Sequence, residues 1–242
     1  MGYMIPSIET FGVSDIGLSR QNNEDVWAEL ADDHFYVLAD GMGGHLAGEV
    51  AAKEAVLHFC DAVDKYFRSK VPPTVSSAKR YIGETFISAN SWVRRLSKDH
   101  PDLSGMGTTL CCLLLLENKA IIGHVGDSRI YRYRKELQPL TRDHSLEQEM
   151  PTKGRSVKHI LTRAIGISPA IVPELMETAY QAGDIYLLCS DGLHDALSDK
   201  QIETIFRRSS SLKETALDLI DAAKKGGGHD NITLLLVKIG SE

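Results

Sequence analysis

The chain has 242 residues, is 43% hydrophobic and 25% charged, and carries a formal net charge of −6. This composition fits a globular protein with a large core, and the acidic balance argues against a nucleic-acid partner. No basic region precedes an apolar core at the N-terminus and no apolar run reaches membrane-spanning length, so a cytoplasmic protein without a membrane partner is expected.

Residues 8–16 read as a first strand and Arg20-Gln21-Asn22-Asn23-Glu24-Asp25 as a polar loop. Residues 26–30 and 34–39 read as two strands joined by the turn Ala31-Asp32-Asp33. The stretch 35–45 organises the rest. An apolar strand delivers Asp40 into Gly41, Gly43 and Gly44, and a helical pattern follows. Backbone stripped of side chains beside a carboxylate leaves room for an ion or ligand. An Asp-Gly pair alone is an ordinary turn signal. Here Asp127, Asp191 and Asp230 also sit at the ends of apolar runs.

Residues 45–67 have a helical pattern, with Val56, Phe59, Val63 and Phe67 recurring at three and four. Pro72-Pro73-Thr74 closes that helix and caps the next, where Ile82, Phe86, Ala89, Val93 and Leu96 form one stripe that ends before Pro101. Each helix has one apolar stripe and therefore covers something on one side. The runs 110–116, 120–125, 185–189 and 232–237 are apolar on both faces, so they are covered on both. Connections at 117–118 and 134–136 are hairpin-short, which makes much of the pairing antiparallel. Sheet on sheet with helices outside is the expected α+β arrangement. Shorter helices are expected at 199–208 and 212–225, and Gly226-Gly227-Gly228 leads into the last strand. With no repeat, linker or composition break, residues 1–242 read as a single domain. Cys60, Cys111, Cys112 and Cys189 form no Cys-x-x-Cys pair and read as buried reduced thiols.

If the four aspartates converge with Glu24, they repel, and divalent cations are the natural remedy. No His or Cys set accompanies them at regular spacing, so oxygen-only ligation of Mg²⁺ or Mn²⁺ is expected rather than zinc. Two such ions about 3.5–4 Å apart can share a carboxylate, activate water and clamp a phosphoryl group. Asp40 is the best candidate for the shared ligand, with the Gly41 carbonyl beside it. Arg20 offers a guanidinium fork that fits a phosphate; a solvated salt bridge is the alternative.

The ordered series Arg20-x-x-x-Glu24-Asp25, Asp40-Gly41-Met42-Gly43-Gly44-His45, Gly105-Met106-Gly107-Thr108-Thr109, Gly126-Asp127-Ser128-Arg129, Thr141-Arg142-Asp143-His144-Ser145, Leu161-Thr162-Arg163-Ala164-Ile165-Gly166, Ser190-Asp191-Gly192 and His229-Asp230-Asn231 resembles the PP2C-type (PPM) metal-dependent protein serine/threonine phosphatases, in the spelling of their bacterial branch. The resemblance spans nearly the whole chain. It implies a four-layer α-β-β-α sandwich of two mainly antiparallel sheets flanked by helices, with a two-metal cleft at one edge. It further implies that Asp40 bridges two Mn²⁺ or Mg²⁺ ions, that Asp191 and Asp230 complete one site, and that Gly41 and Glu24 serve the other. Asp127 with Asp191 would hold a third ion, and Arg20 would bind the substrate phosphate. Water activated by the metal pair would attack phosphorus with no phosphoenzyme. The implied partners are phosphorylated proteins and an opposing Ser/Thr kinase, in some relatives within type VI secretion control, and the chain is expected to be a monomer.

Two departures stand out. Met42 occupies the place of the histidine that many eukaryotic members carry as a proposed general acid, and His45 reads equally well as helix start or cap. The flap at about 143–165 is abbreviated, with only residues 146–159 between Ser145 and Ile160. A silent phosphoprotein-binding scaffold is the competing reading; it would usually have lost ligands that this chain retains.

Overall fold

Alternation inside an all-apolar strand explains the layering. In β5 (Leu110–Leu116), Leu110, Cys112 and Leu114 face one hydrophobic layer while Cys111, Leu113 and Leu115 face another. The same split recurs in β3 (Phe35–Met42), where Phe35, Val37 and Ala39 oppose Tyr36 and Leu38. Successive side chains on a strand point to opposite faces, so two-sided apolarity requires two covering layers.

The computed structural model describes residues 7–43, 47–69, 71–149 and 160–240. His45 and residues 150–159 of the expected flap lie outside the described residues. One sheet contains β3 and β5 together with β2 (Asp25–Leu30), β6 (Lys119–Val125) and β9 (Glu174–Ala179), in the order β2-β3-β5-β6-β9; the two-residue β4 (Gly107–Thr108) pairs with β3. The other contains β1 (Ile8–Asp15), β7 (Arg129–Tyr133), β8 (Leu137–Pro139), β10 (Ile185–Cys189) and β11 (Ile232–Ile239), in the order β1-β11-β10-β7-β8. The pairings among these strands are antiparallel.

Helices α1 (Ala47–Phe67) and α2 (Val75–Asp99) cover the first sheet, and Phe59 and Phe86 meet there edge to face at 4.8 Å. Thr74 caps α2 through a capping box with Ser77, which satisfies helix-end N–H groups that have no carbonyl partner. The short α3 (Leu146–Glu149) and α4 (Asp191–His194) precede α5 (Asp199–Arg208) and α6 (Leu212–Lys225), and the last two cover the second sheet. Between the sheets lie Tyr36, Leu38, Leu113, Ile130, Tyr186, Leu188, Leu235 and Val237. The result is the four-layer α-β-β-α sandwich. All four cysteines are free thiols, and Cys111, Cys112 and Cys189 are buried.

Candidate active site: a carboxylate cleft at one end of both sheets

Antiparallel pairing brings the end of β3 and the start of β2 together, so Asp25 sits directly across from Asp40. From the other sheet, the end of β10 delivers Ser190 and Asp191, and the start of β11 is preceded by Asp230 and Asn231. The β6–β7 turn adds Asp127. The resulting cleft has a volume of about 670 Å³. Arg20, Glu24, Asp40, Gly41, Asp127, Asp191 and Asp230, all singled out from the sequence, line it. Asp195 lines it too, and among the described lining residues Arg20 is the only arginine or lysine.

This charge imbalance shapes the ionisation of the cleft. Burial, then the charges of Asp25, Asp191, Asp127 and Asp230, push the Asp40 carboxyl well above the usual carboxylate range. Burial and Asp191 push Asp127 up to about 7. Asp25 is likewise raised to about 7 by burial, against the hydrogen bond it accepts from Ser190. That bond, Ser190 Oγ to Asp25 Oδ2 at 2.7 Å, links the two sheets. The other oxygen, Asp25 Oδ1, is buried with no hydrogen-bond partner among the described residues. Burial also raises Glu24, whose Oε1 accepts from Asn22 Nδ2 at 3.1 Å.

Such a donor set fits hard divalent cations. Carboxylates crowd together, a buried oxygen is orphaned, and the lining arginine is already engaged. Arg20 Nη2 donates to Asp230 Oδ2 at 2.6 Å, which raises the Arg20 pKa. The ion pair and the cleft position, alternatives in the sequence, are thus both realised.

Backbone contacts hold Asp40 in place. Its N–H donates to Thr109 Oγ1 at 2.9 Å, and its carbonyl accepts from Thr109 N and from Thr108 Oγ1. Gly41 is required for a reason other than ligand access. A Cβ there would lie 2.2 Å from the Gly48 carbonyl oxygen, so strand and helix touch backbone to backbone.

A second cluster sits apart from the cleft lining. His124, His144 and Glu174 bring ligand atoms within 4.8 Å of one another. His144 Nδ1 accepts from the Gly126 N–H at 3.2 Å, so in the neutral ring Nε2 carries the proton and faces Glu174 Oε2 at 3.4 Å, with Arg163 Nη1 3.1 Å away. The one lone pair of that neutral ring is thus already used. Burial, stacked His124 and Arg163 hold His144 down at about 4, so it is neutral. Its job is mechanical: His144 N donates to Gly126 O and its carbonyl accepts from Thr162 N, tying the Asp127 turn to both ends of the flap.

Sequence reasoning assigned no role to Asp25, Thr109, Asp195 or Asn231. Asp25, Thr109 and Asn231 lie inside the motif series, so spacing flagged their neighbourhood; their functions depend on pairing that only the fold supplies.

A sandwich with a carboxylate cleft at one end defines a metal-dependent phosphatase architecture, and the comparisons identify which one. The family model for protein phosphatase 2C matches residues 17–223, and the chain belongs to that family. The serine/threonine phosphatase stp of Listeria monocytogenes is 34% identical over 238 residues, covering 93% of each chain. The catalytic domain of serine/threonine protein phosphatase PstP, solved with two manganese ions, superposes with a TM-score of 0.84 at 34% identity, over 97% of this chain and 99% of that one. PppA of Pseudomonas aeruginosa, described as a key regulatory component of T6SS, gives a TM-score of 0.84 at 29% identity, over 97% and 98%. The chain is therefore a serine/threonine protein phosphatase, a hydrolase acting on phosphoproteins.

Proposed function

We propose that the cleft hydrolyses phosphoserine and phosphothreonine through water activated between two divalent cations. The observation that carries this reading is the convergence of Asp40, Asp127, Asp191, Asp230 and Glu24 on one cleft, with Arg20 the single arginine among the described lining residues. Asp40 would bridge the pair, Asp191 and Asp230 would complete one site, and Glu24 with the Gly41 carbonyl would serve the other. Asp127 with Asp191 would take a third ion. Bound there, Mn²⁺ or Mg²⁺ supplies Lewis acidity and a water of lowered pKa. The chain's own residues do the rest. Arg20 leaves Asp230 to fork onto the phosphate, and Asp25 receives a proton or an ordered water at its unpaired oxygen. Met42 has no proton to give, so no side chain at that position serves as acid.

We further infer a single phosphatase domain, a cytoplasmic monomer, and an opposing Ser/Thr kinase, with type VI secretion control as the candidate setting. No helix among the described residues is long and apolar enough to cross a membrane. The test is phosphate release from p-nitrophenyl phosphate and a phosphothreonine peptide with Mn²⁺ or Mg²⁺. Turnover that persists in excess EDTA would reject the metal mechanism. Phosphopeptide binding without turnover would favour the scaffold reading.

A further inference from the structure

Asn231 makes more long-range contacts than any motif assigns to it. Its side chain is buried, with the residue 4% exposed, and each polar atom of its amide is used. Oδ1 accepts from the Glu24 backbone N–H at 2.8 Å. Nδ2 donates to the Ile16 carbonyl and to the Asn22 carbonyl, both at 3.0 Å. Its own backbone N–H donates to Asp230 Oδ1 at 2.8 Å. The side-chain bonds reach across 207 to 215 residues of sequence.

All three side-chain bonds land on the β1–β2 loop, which carries Arg20 and Glu24. Further ties join that loop to the β11 side: Leu18 N–H to Gly228 O at 2.7 Å, and the Arg20–Asp230 ion pair itself. Gly17 packs so tightly that a Cβ would meet Asp230 O at 2.1 Å.

From this geometry we infer that Asn231 is a positioning residue: its amide docks the β1–β2 loop and thereby sets where the Arg20 guanidinium and the Glu24 carboxylate enter the cleft. The inference rests on the phosphatase reading above, in which Arg20 meets the phosphate. The chemistry requires an amide. Two donors and one acceptor are needed at once in a planar arrangement, and both are present only in Asn or Gln. An aspartate of the same shape would turn lone pairs toward the Ile16 and Asn22 carbonyls and add charge to a cleft already rich in carboxylates. Loss of the clamp misplaces Arg20 without touching it, and a displacement of about 1 Å in a positioning group can lower turnover about 10²-fold.

The test is a double-mutant cycle read by competitive inhibition with inorganic phosphate, in enzyme saturated with Mn²⁺. Arg20→Ala is expected to weaken phosphate binding about tenfold, on the scale of one charge-assisted hydrogen bond. Asn231→Ala should weaken it by a similar factor. In the Arg20→Ala background, Asn231→Ala should change it less than about twofold, because the phosphate-binding group it positions is gone and saturating Mn²⁺ masks the effect on Glu24. Fully additive losses would overturn the inference. Asn231→Asp should behave no better than Asn231→Ala; recovery of wild-type phosphate binding in Asn231→Asp would also overturn it. A measurement on the wild-type protein needs no variant to fold. The Glu24 amide should exchange with solvent more slowly than those of Arg20 and Gln21, and equal rates would mean that the clamp is absent. If Arg20→Ala leaves phosphate binding intact, the phosphate role of Arg20 fails, whereas slow Glu24 exchange would still support the docking.

Discussion

The layer between the sheets and the cleft at its end both bury side chains, yet they use burial in opposite ways. Between the sheets, Leu38, Leu113, Leu188 and Leu235 are 0% exposed and gain from being there. In the cleft, burial and like charge press Asp25, Asp40 and Asp127 toward protonation. The first region supplies the stability that the second spends. The cleft is thus the place where local interactions disagree with the fold, as expected of a working site.

Asp40→Asn breaks the comparison most sharply. Turnover should fall about 10³-fold or more, the scale of removing a central electrostatic group. In EDTA, however, the melting temperature should hold or rise, because a buried carboxyl repelled by four neighbours becomes a neutral amide. A clear drop in EDTA would show that the carboxylates are not in conflict. Leu113→Ala probes the other region. It should cost about 2–5 kcal/mol in denaturant unfolding, while turnover per folded molecule well below the transition stays native.

Metal addition should reduce the difference between the regions. Mn²⁺ at about 100 times its Kd should stabilise the protein by about 2.7 kcal/mol, and Asp40→Asn should lose most of that shift in a thermal melt. The smallest effect concerns acid. His144 is held at about 4 in the fold, below its ordinary 6.5, so it prefers to be neutral there. A base with a depressed folded pKa contributes stability above 6.5 and loses it as pH falls through about 4. His144→Gln should therefore flatten the stability–pH curve in that window by about 3 kcal/mol, measured by urea titration at several pH values.

Much of this was legible in the chain. The unbroken apolarity of β5 announced two covering layers, and the stripe of α2 announced which side it packs on. The four aspartates were visible because each flanks an apolar run. β9 was not visible: Glu174-Leu175-Met176-Glu177-Thr178-Ala179 is a mixed edge strand, and edges need only one covered face. Asp25 reads as loop polarity until the β2–β3 register sets it against Asp40. Asn231 stands out only as the end of His229-Asp230-Asn231, because its partners lie more than two hundred positions away. Local patterns report what a residue is; these roles follow from what the fold brings beside it.

The β2–β3 hairpin has one further implication. Its far end is a single 3-10 turn, Ala31–Asp33, closed by His34 at φ 49°. That turn works as a gauge for the opposite end, where two acids must stand shoulder to shoulder. Adding one residue to it would offset the ladder and swing Asp25 to the other side of the sheet. Tolerance to insertion should therefore be lowest at a surface turn remote from the chemistry, and a family of length variants there would read out how finely the acidic pair is spaced.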